Sequence, residues 1–110
     1  MDINFYTREI RKFAIYQGGN TKSLQELMYL SLGAAGEVGE IANKVKKLYR
    51  DCDSAEARTK IQNEIGDVFW YLCRLTDALG AEPGQILMDN YNKLEDRLKR
   101  DVIHGNGDSR

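Results

Sequence analysis

The sequence predicts an all-α fold of four helices, and three observations carry that expectation. Apolar residues recur at helical spacing through three long segments. No stretch shows the period-two alternation of a strand. Chain breakers are sparse and fall between the periodic segments, at Gly18-Gly19-Asn20, Asp51–Ser54 and Gly80, with the one proline at Pro83.

Residues 2–17 form the first segment, closed by the Gly18-Gly19-Asn20 break. Ser23 caps a long second helix that runs to about Arg50. Asp53, with Glu56 three residues on, resembles a capping box for a third helix stopping at Gly80, a C′ glycine. Glu82 and Pro83 open the fourth, where the missing proline N–H costs nothing. On the second helix the apolar stripe is Leu27, Leu30, Ala34, Ile41, Val45 and Leu48. On the third it is Ile61, Ile65, Val68, Leu72 and Leu79, and on the fourth Leu87, Tyr91, Leu94 and Leu98.

A chain of 110 residues with 42% hydrophobic content makes one domain, residues 1–110, with a glycine-rich tail at about 101–110. A domain this small buries a modest share of its surface, so association with other copies is a natural supplement. A net charge of −1 with 30% charged residues lacks the basic excess of a nucleic-acid binder. The charged N-terminus is not a secretory signal, and no apolar run reaches the ~20 residues that span a bilayer. Cys52 and Cys73 lack metal-ligand spacing, and His104 does not complete a zinc site with them. The expectation is a cytoplasmic protein with reduced thiols and no membrane partner.

The chemistry points to two matched carboxylate pairs, Glu37 with Glu40 and Glu64 with Asp67. Each pair is spaced i, i+3, so its members share one face of a helix, a turn apart. Packing the second and third helices antiparallel gathers the four charges, which repel unless they hold cations. Oxygen-only ligands suit Mg²⁺, with Mn²⁺ as a substitute. A magnesium site of this kind shares its ion with phosphate groups, which implies a di- or triphosphate substrate. Lys93, Arg97 and Lys44 are the cations expected to neutralise phosphate, and Asn90 the group to bind a phosphate oxygen or sugar hydroxyl. The plain alternative is solvated helix faces, with Lys44 and Glu40 an ordinary i, i+4 ion pair. A di-iron centre is disfavoured because the one histidine stands outside both pairs. Gly33, Gly36, Gly39 and Gly66 let a backbone or ligand approach the acidic face, or mark tight helix crossings. Trp70 lies off the third helix's stripe, which suits a subunit interface or a nucleobase stack.

GAAGEVGEIANKVKKLYRD followed by EIGDVFWYLCRLTDALG resembles the MazG-like nucleotide pyrophosphohydrolases of the all-α NTP pyrophosphatase superfamily. Their signature is E-x-x-E, a spacer, then E-x-x-D, matched by Glu37, Glu40, Glu64 and Asp67. NYNKLEDR fits the family's N-x-x-K-L-x-x-R pattern through Asn90, Lys93, Leu94 and Arg97, and the tail resembles the glycine-rich ending of small members. The resemblance implies a MazG-like four-helix bundle completed by oligomerisation into a homodimer or dimer of dimers. It further implies Mg²⁺-dependent hydrolysis of a nucleoside triphosphate to monophosphate and pyrophosphate, in nucleotide-pool house-cleaning. The four carboxylates hold the ions, water attacks the α-phosphorus, and Lys93, Arg97 and Asn90 bind the substrate. Two other classes remain open from sequence: a helical interaction module, and a sensor that binds nucleotide without turnover.

Overall fold

The computed structural model describes residues 1–100, and the expected glycine-rich tail at about 101–110 lies outside them. The elements are α1 (Ile3–Glu9), a 3-10 turn (Ile10–Phe13), α2 (Leu24–Arg50), α3 (Ala55–Ala78) and α4 (Pro83–Lys99). Among the described residues there is no strand, and no helix is long and apolar enough to cross a membrane. The all-α expectation holds.

An antiparallel hairpin of α2 and α3 is the body of the molecule. α1 and the 3-10 turn lean on α3, and α4 packs on α1 and α3 without touching α2. The ends of the helices follow their local chemistry. Ser23 Oγ accepts the Glu26 N–H at the start of α2. At the end of α3, Gly80 takes φ +74°, its N–H reaches Asp77 O and the Ala81 N–H reaches Thr76 O, a Schellman closure. Pro83 occupies the first turn of α4, and the side chain of Asn4 accepts the Gly84 N–H at 2.8 Å, tying α4 to α1.

Three local expectations are revised. The first segment is helical only over Ile3–Phe13. Ala14 leaves helical geometry at ψ 62°, and the chain from there to Ser23 is drawn to α2 and α3. The cap of α3 is Ser54, whose Oγ accepts the Ala57 N–H; Asp53 pairs with Arg58 through two 2.7 Å contacts. The expected α3 stripe also divides. Ile65, Leu72 and Leu79 are exposed, whereas Cys73, Arg74, Asp77 and Ala78 are buried. That buried face is one that α1 and the following loop cover, and it is charged because the cover brings its own charges.

Glu26 and Arg74 are both fully buried and meet at 2.9 Å. Arg74 also donates to Asp77 and to Asn20 Oδ1, and Asp77 receives Arg11 through two bonds. Glu26 accepts the Tyr16 hydroxyl at 2.6 Å and the backbone N–H groups of Asn20 and Lys22. Asn20 and Lys22 both sit at positive φ, an uncommon conformation for side-chain-bearing residues, and it aims their N–H groups at this carboxylate. Each residue of the network thus has at least one charged or hydrogen-bonded partner, and Arg74 Nε is the buried nitrogen among them left without one.

Candidate metal centre

The antiparallel hairpin brings Glu37 of α2 together with Glu64 and Asp67 of α3. One carboxylate oxygen from each lies within 4.8 Å of the other two. Glu37 and Glu64 are half-buried at the helix seam, and Asp67 is exposed at its edge. The proton affinity of Glu37 is raised, first by a hydrogen bond with Glu64, then by burial and by the charges of Asp67, Glu64 and Glu40. Three carboxylates at this distance repel one another, a repulsion that a shared proton or a hard divalent cation relieves. The donor set fits Mg²⁺ or Mn²⁺: all oxygen, ionisable, and open on one side for further ligands.

Glu40 stands one turn beyond Glu37 on α2, exposed and outside the three-residue cluster, yet close enough for its charge to act on Glu37. Lys44 does not pair with Glu40 as an i, i+4 partner. It crosses the seam to Glu64, with Nζ 3.7 Å from Oε1, and offsets part of the negative charge.

The residues of α4 lie elsewhere in the single chain. Asn90 and Lys93 line a separate concavity of about 300 Å³ with Ile86 and Asp89, and Arg97 is buried on the same helix. Because α4 makes no contact with α2, one chain does not bring this trio to Glu37.

Trp70 is half-buried within the chain. Its ring is edge-on to Tyr71 at 5.0 Å and to Tyr16 at 6.2 Å, and Tyr16 stacks on Tyr29 at 4.5 Å. Tyr71 occupies the space that a Cβ on Gly33 would take, so Gly33 permits a tight helix crossing one turn before Glu37. Burial raises the Tyr71 pKa, as do Tyr29 and the charges of Glu37 and Asp67, which sets the aromatic cluster beside the carboxylates. Gly36, Gly39 and Gly66 face open space among the described residues.

Sequence reading missed the buried charged network that anchors Tyr16. One signal was available: Ser23-Leu24-Gln25-Glu26 has the S-x-x-E form of a capping box. Glu26 indeed sits at that position, but reaches back past Ser23 to Asn20 and Lys22.

Comparison with known proteins adds a family to this geometry. The model of the MazG nucleotide pyrophosphohydrolase domain matches residues 25–100, which contain the hairpin, all four signature carboxylates and α4. The chain is similar to the Gene 37 protein of Mycobacterium phage L5, 42% identical with the full length of both chains covered. No solved structure matches it. On the extent of the domain match and of that full-length relative, the chain belongs to the MazG nucleotide pyrophosphohydrolase family.

Proposed function

We propose that the protein is a Mg²⁺-dependent nucleoside triphosphate pyrophosphohydrolase that converts a (d)NTP and water to the (d)NMP and pyrophosphate, serving nucleotide-pool house-cleaning in the cytoplasm. The observation that carries this reading is the convergence of Glu37, Glu64 and Asp67 from two helices onto one cation-sized position in a MazG-family chain. These three hold the ion. When bound, Mg²⁺ supplies Lewis acidity to a phosphoryl oxygen and lowers the pKa of water. Glu40, outside the cluster but electrostatically coupled to Glu37, is the carboxylate left to orient or deprotonate the attacking water. Tyr71, in edge contact with Trp70 and close enough to feel the charges of Glu37 and Asp67, offers an aromatic surface for a nucleobase.

The proposed working unit is a homodimer or a dimer of dimers. Among the described residues the buried apolar side chains are few: Ile10, Leu30, Cys73, Ala78 and Pro83. Met28, Val38 and Val45 on α2, and Ile65, Phe69 and Leu72 on α3, form apolar faces left in solvent. Surface of that kind marks an interface. A second chain would also supply Asn90 and Lys93, which α4 does not bring to Glu37 within one chain, whereas Arg97 is buried within its own chain. Leu72→Arg is expected to shift the sedimentation profile toward monomer; an unchanged mass distribution at low concentration would remove this face from the interface.

Turnover is tested by a Mg²⁺-dependent hydrolysis panel over NTPs and dNTPs with products separated chromatographically. Monophosphate plus pyrophosphate, lost with EDTA, is the expected result. Diphosphate plus phosphate would move attack to the γ-phosphorus. Nucleotide binding without turnover would make the chain a sensor.

A further inference from the structure

Where the α2–α3 seam runs on from the carboxylates toward the 51–54 connection, it opens into a concavity of about 300 Å³ lined by Lys44, Lys47 and Lys60. We infer that this basic concavity holds the polyphosphate end of the substrate, and the pyrophosphate that leaves; the inference rests on the hydrolase reading above.

The concavity is continuous with the candidate metal centre through Lys44, which lines it and also reaches Glu64 at 3.7 Å. Lys60 precedes Glu64 by four residues and Lys47 follows Lys44 by three. Lys60 therefore lies about 6 Å beyond Glu64 along its helix, and Lys47 about 4.5 Å beyond Lys44. A phosphate held through a cation at Glu37, Glu64 and Asp67 would present its next phosphates first to Lys44, which reaches Glu64, and then to Lys60 and Lys47 along the same lining.

The charge balance favours an anion. Asp51 is the acidic group in the lining, and both its oxygens are engaged by Arg50 at 2.7 Å. Lys60 contacts Glu56 at 3.7 Å, an exposed i, i+4 pair of the weak, exchangeable kind. The C-terminal end of α2 and the N-terminal end of α3 meet beside the concavity, so their helix dipoles oppose each other. The lysines decide the sign. Leu48 and the aliphatic lysine stems give the site apolar walls that raise the effective strength of these charges.

A polyphosphate approaching bare carboxylates would be repelled, and within the chain the cations of α4 lie away from α2. Lys44, Lys47 and Lys60 supply positive charge on the same two helices that carry the acids. The arrangement orders the substrate along the seam, with its nucleoside toward Tyr71 and its terminal phosphates toward residue 51.

The test compares wild type with Lys47→Ala/Lys60→Ala and with Lys47→Arg/Lys60→Arg. Inorganic pyrophosphate is titrated calorimetrically in the presence of Mg²⁺, and kcat and KM for the best nucleotide are followed across salt concentrations. The alanine pair is expected to weaken pyrophosphate binding and raise KM by roughly tenfold, since two charged contacts are lost. It should flatten the salt dependence of KM, and the arginine pair should restore both the affinity and that dependence. Unchanged pyrophosphate affinity and KM in the alanine pair would overturn the inference, as would a wild type that binds no pyrophosphate. If no nucleotide is turned over, the hydrolase reading fails, and the pyrophosphate titration alone still decides whether the lysines form an anion site.

Discussion

Arg74→Met is expected to destabilise the fold by about 3–5 kcal/mol, the cost of removing one partner from a buried ion pair. The loss is large against the roughly 5–15 kcal/mol that holds a small domain together. Arg74 has no solvent exposure, and its guanidinium is bonded to Glu26, Asp77 and Asn20. Methionine fills much of the volume but leaves the Glu26 carboxylate buried with only Tyr16 and two backbone N–H groups facing it. Arg11→Ala should cost much less, about 1 kcal/mol or below, because its side chain is half in water. Urea denaturation at fixed protein concentration measures both, and a loss for Arg74→Met no larger than that for Arg11→Ala would refute the account. The double variant Arg74→Met/Glu26→Gln should recover part of the loss, since no orphaned charge remains.

The same network sets a pH signature. Burial alone would push the Glu26 carboxyl up, but Tyr16, the Asn20 and Lys22 N–H groups and Arg74 together hold it below its ordinary 4.5. Arg11, against the cost of burial and with help from Arg74, holds Asp77 below 3.8. Both groups therefore contribute stability that is present above those unfolded values and lost as pH falls through the lowered native ones. Tyr16 moves the other way: burial and its bond to Glu26 raise it from 10.0 to about 12. Its contribution is present below 10.0 and lost as pH rises through about 12. Tyrosinate absorbance in wild type and Tyr16→Phe should locate this group as a late-titrating component. Its absence from the difference curve would mean that Tyr16 is solvated.

The parts of this fold legible in sequence are those decided within a few residues. Ser23 begins α2, Gly80 ends α3 and Pro83 begins α4 because caps and proline act on adjacent backbone. The i, i+3 spacing likewise placed Glu64 and Asp67 on one face, and antiparallel packing did the rest for Glu37. What sequence could not give depends on distant partners. Arg74 and Glu26 are 48 residues apart, and Arg11 and Asp77 are 66 apart. No periodicity rule expects arginine inside. The same network explains why the apolar stripe expected on α3 includes Ile65, Leu72 and Leu79, which face outward here. Helix α3 has a buried charged face and an apolar face that includes these exposed residues. A projection of apolar residues finds the uncharged one. Trp70 fell off that stripe for the same reason: it belongs to the charged face, with Tyr16 as its neighbour.

Glu64→Gln is expected to reduce turnover by roughly 10³-fold or more, a barrier increase of about 4 kcal/mol, while leaving the metal-free protein at least as stable as wild type. The two effects have opposite signs because the same proximity drives both. Glu64 contributes one of three oxygens within 4.8 Å, and its hydrogen bond and charge are among the causes that raise the proton affinity of Glu37. A neutral amide keeps the shape and the capacity to hydrogen-bond Glu37, yet removes one charge from a mutually repelling set. In EDTA the thermal midpoint should therefore hold or rise. Mg²⁺ is expected to stabilise wild type, and that stabilisation should shrink or vanish in the variant, because the cation would lose an anionic ligand. Lys44, released from Glu64, would also leave an unbalanced positive charge where the ion sits, further weakening Mg²⁺ binding. Thermal melts with and without Mg²⁺, run beside the nucleotide assay, separate a ligand from a residue that merely supports the fold. A variant that loses activity and metal-free stability together would be structural. One that keeps a near-normal rate and the full response to Mg²⁺ would take Glu64 out of the metal centre, leaving Glu37 and Asp67 too few to hold an ion by themselves.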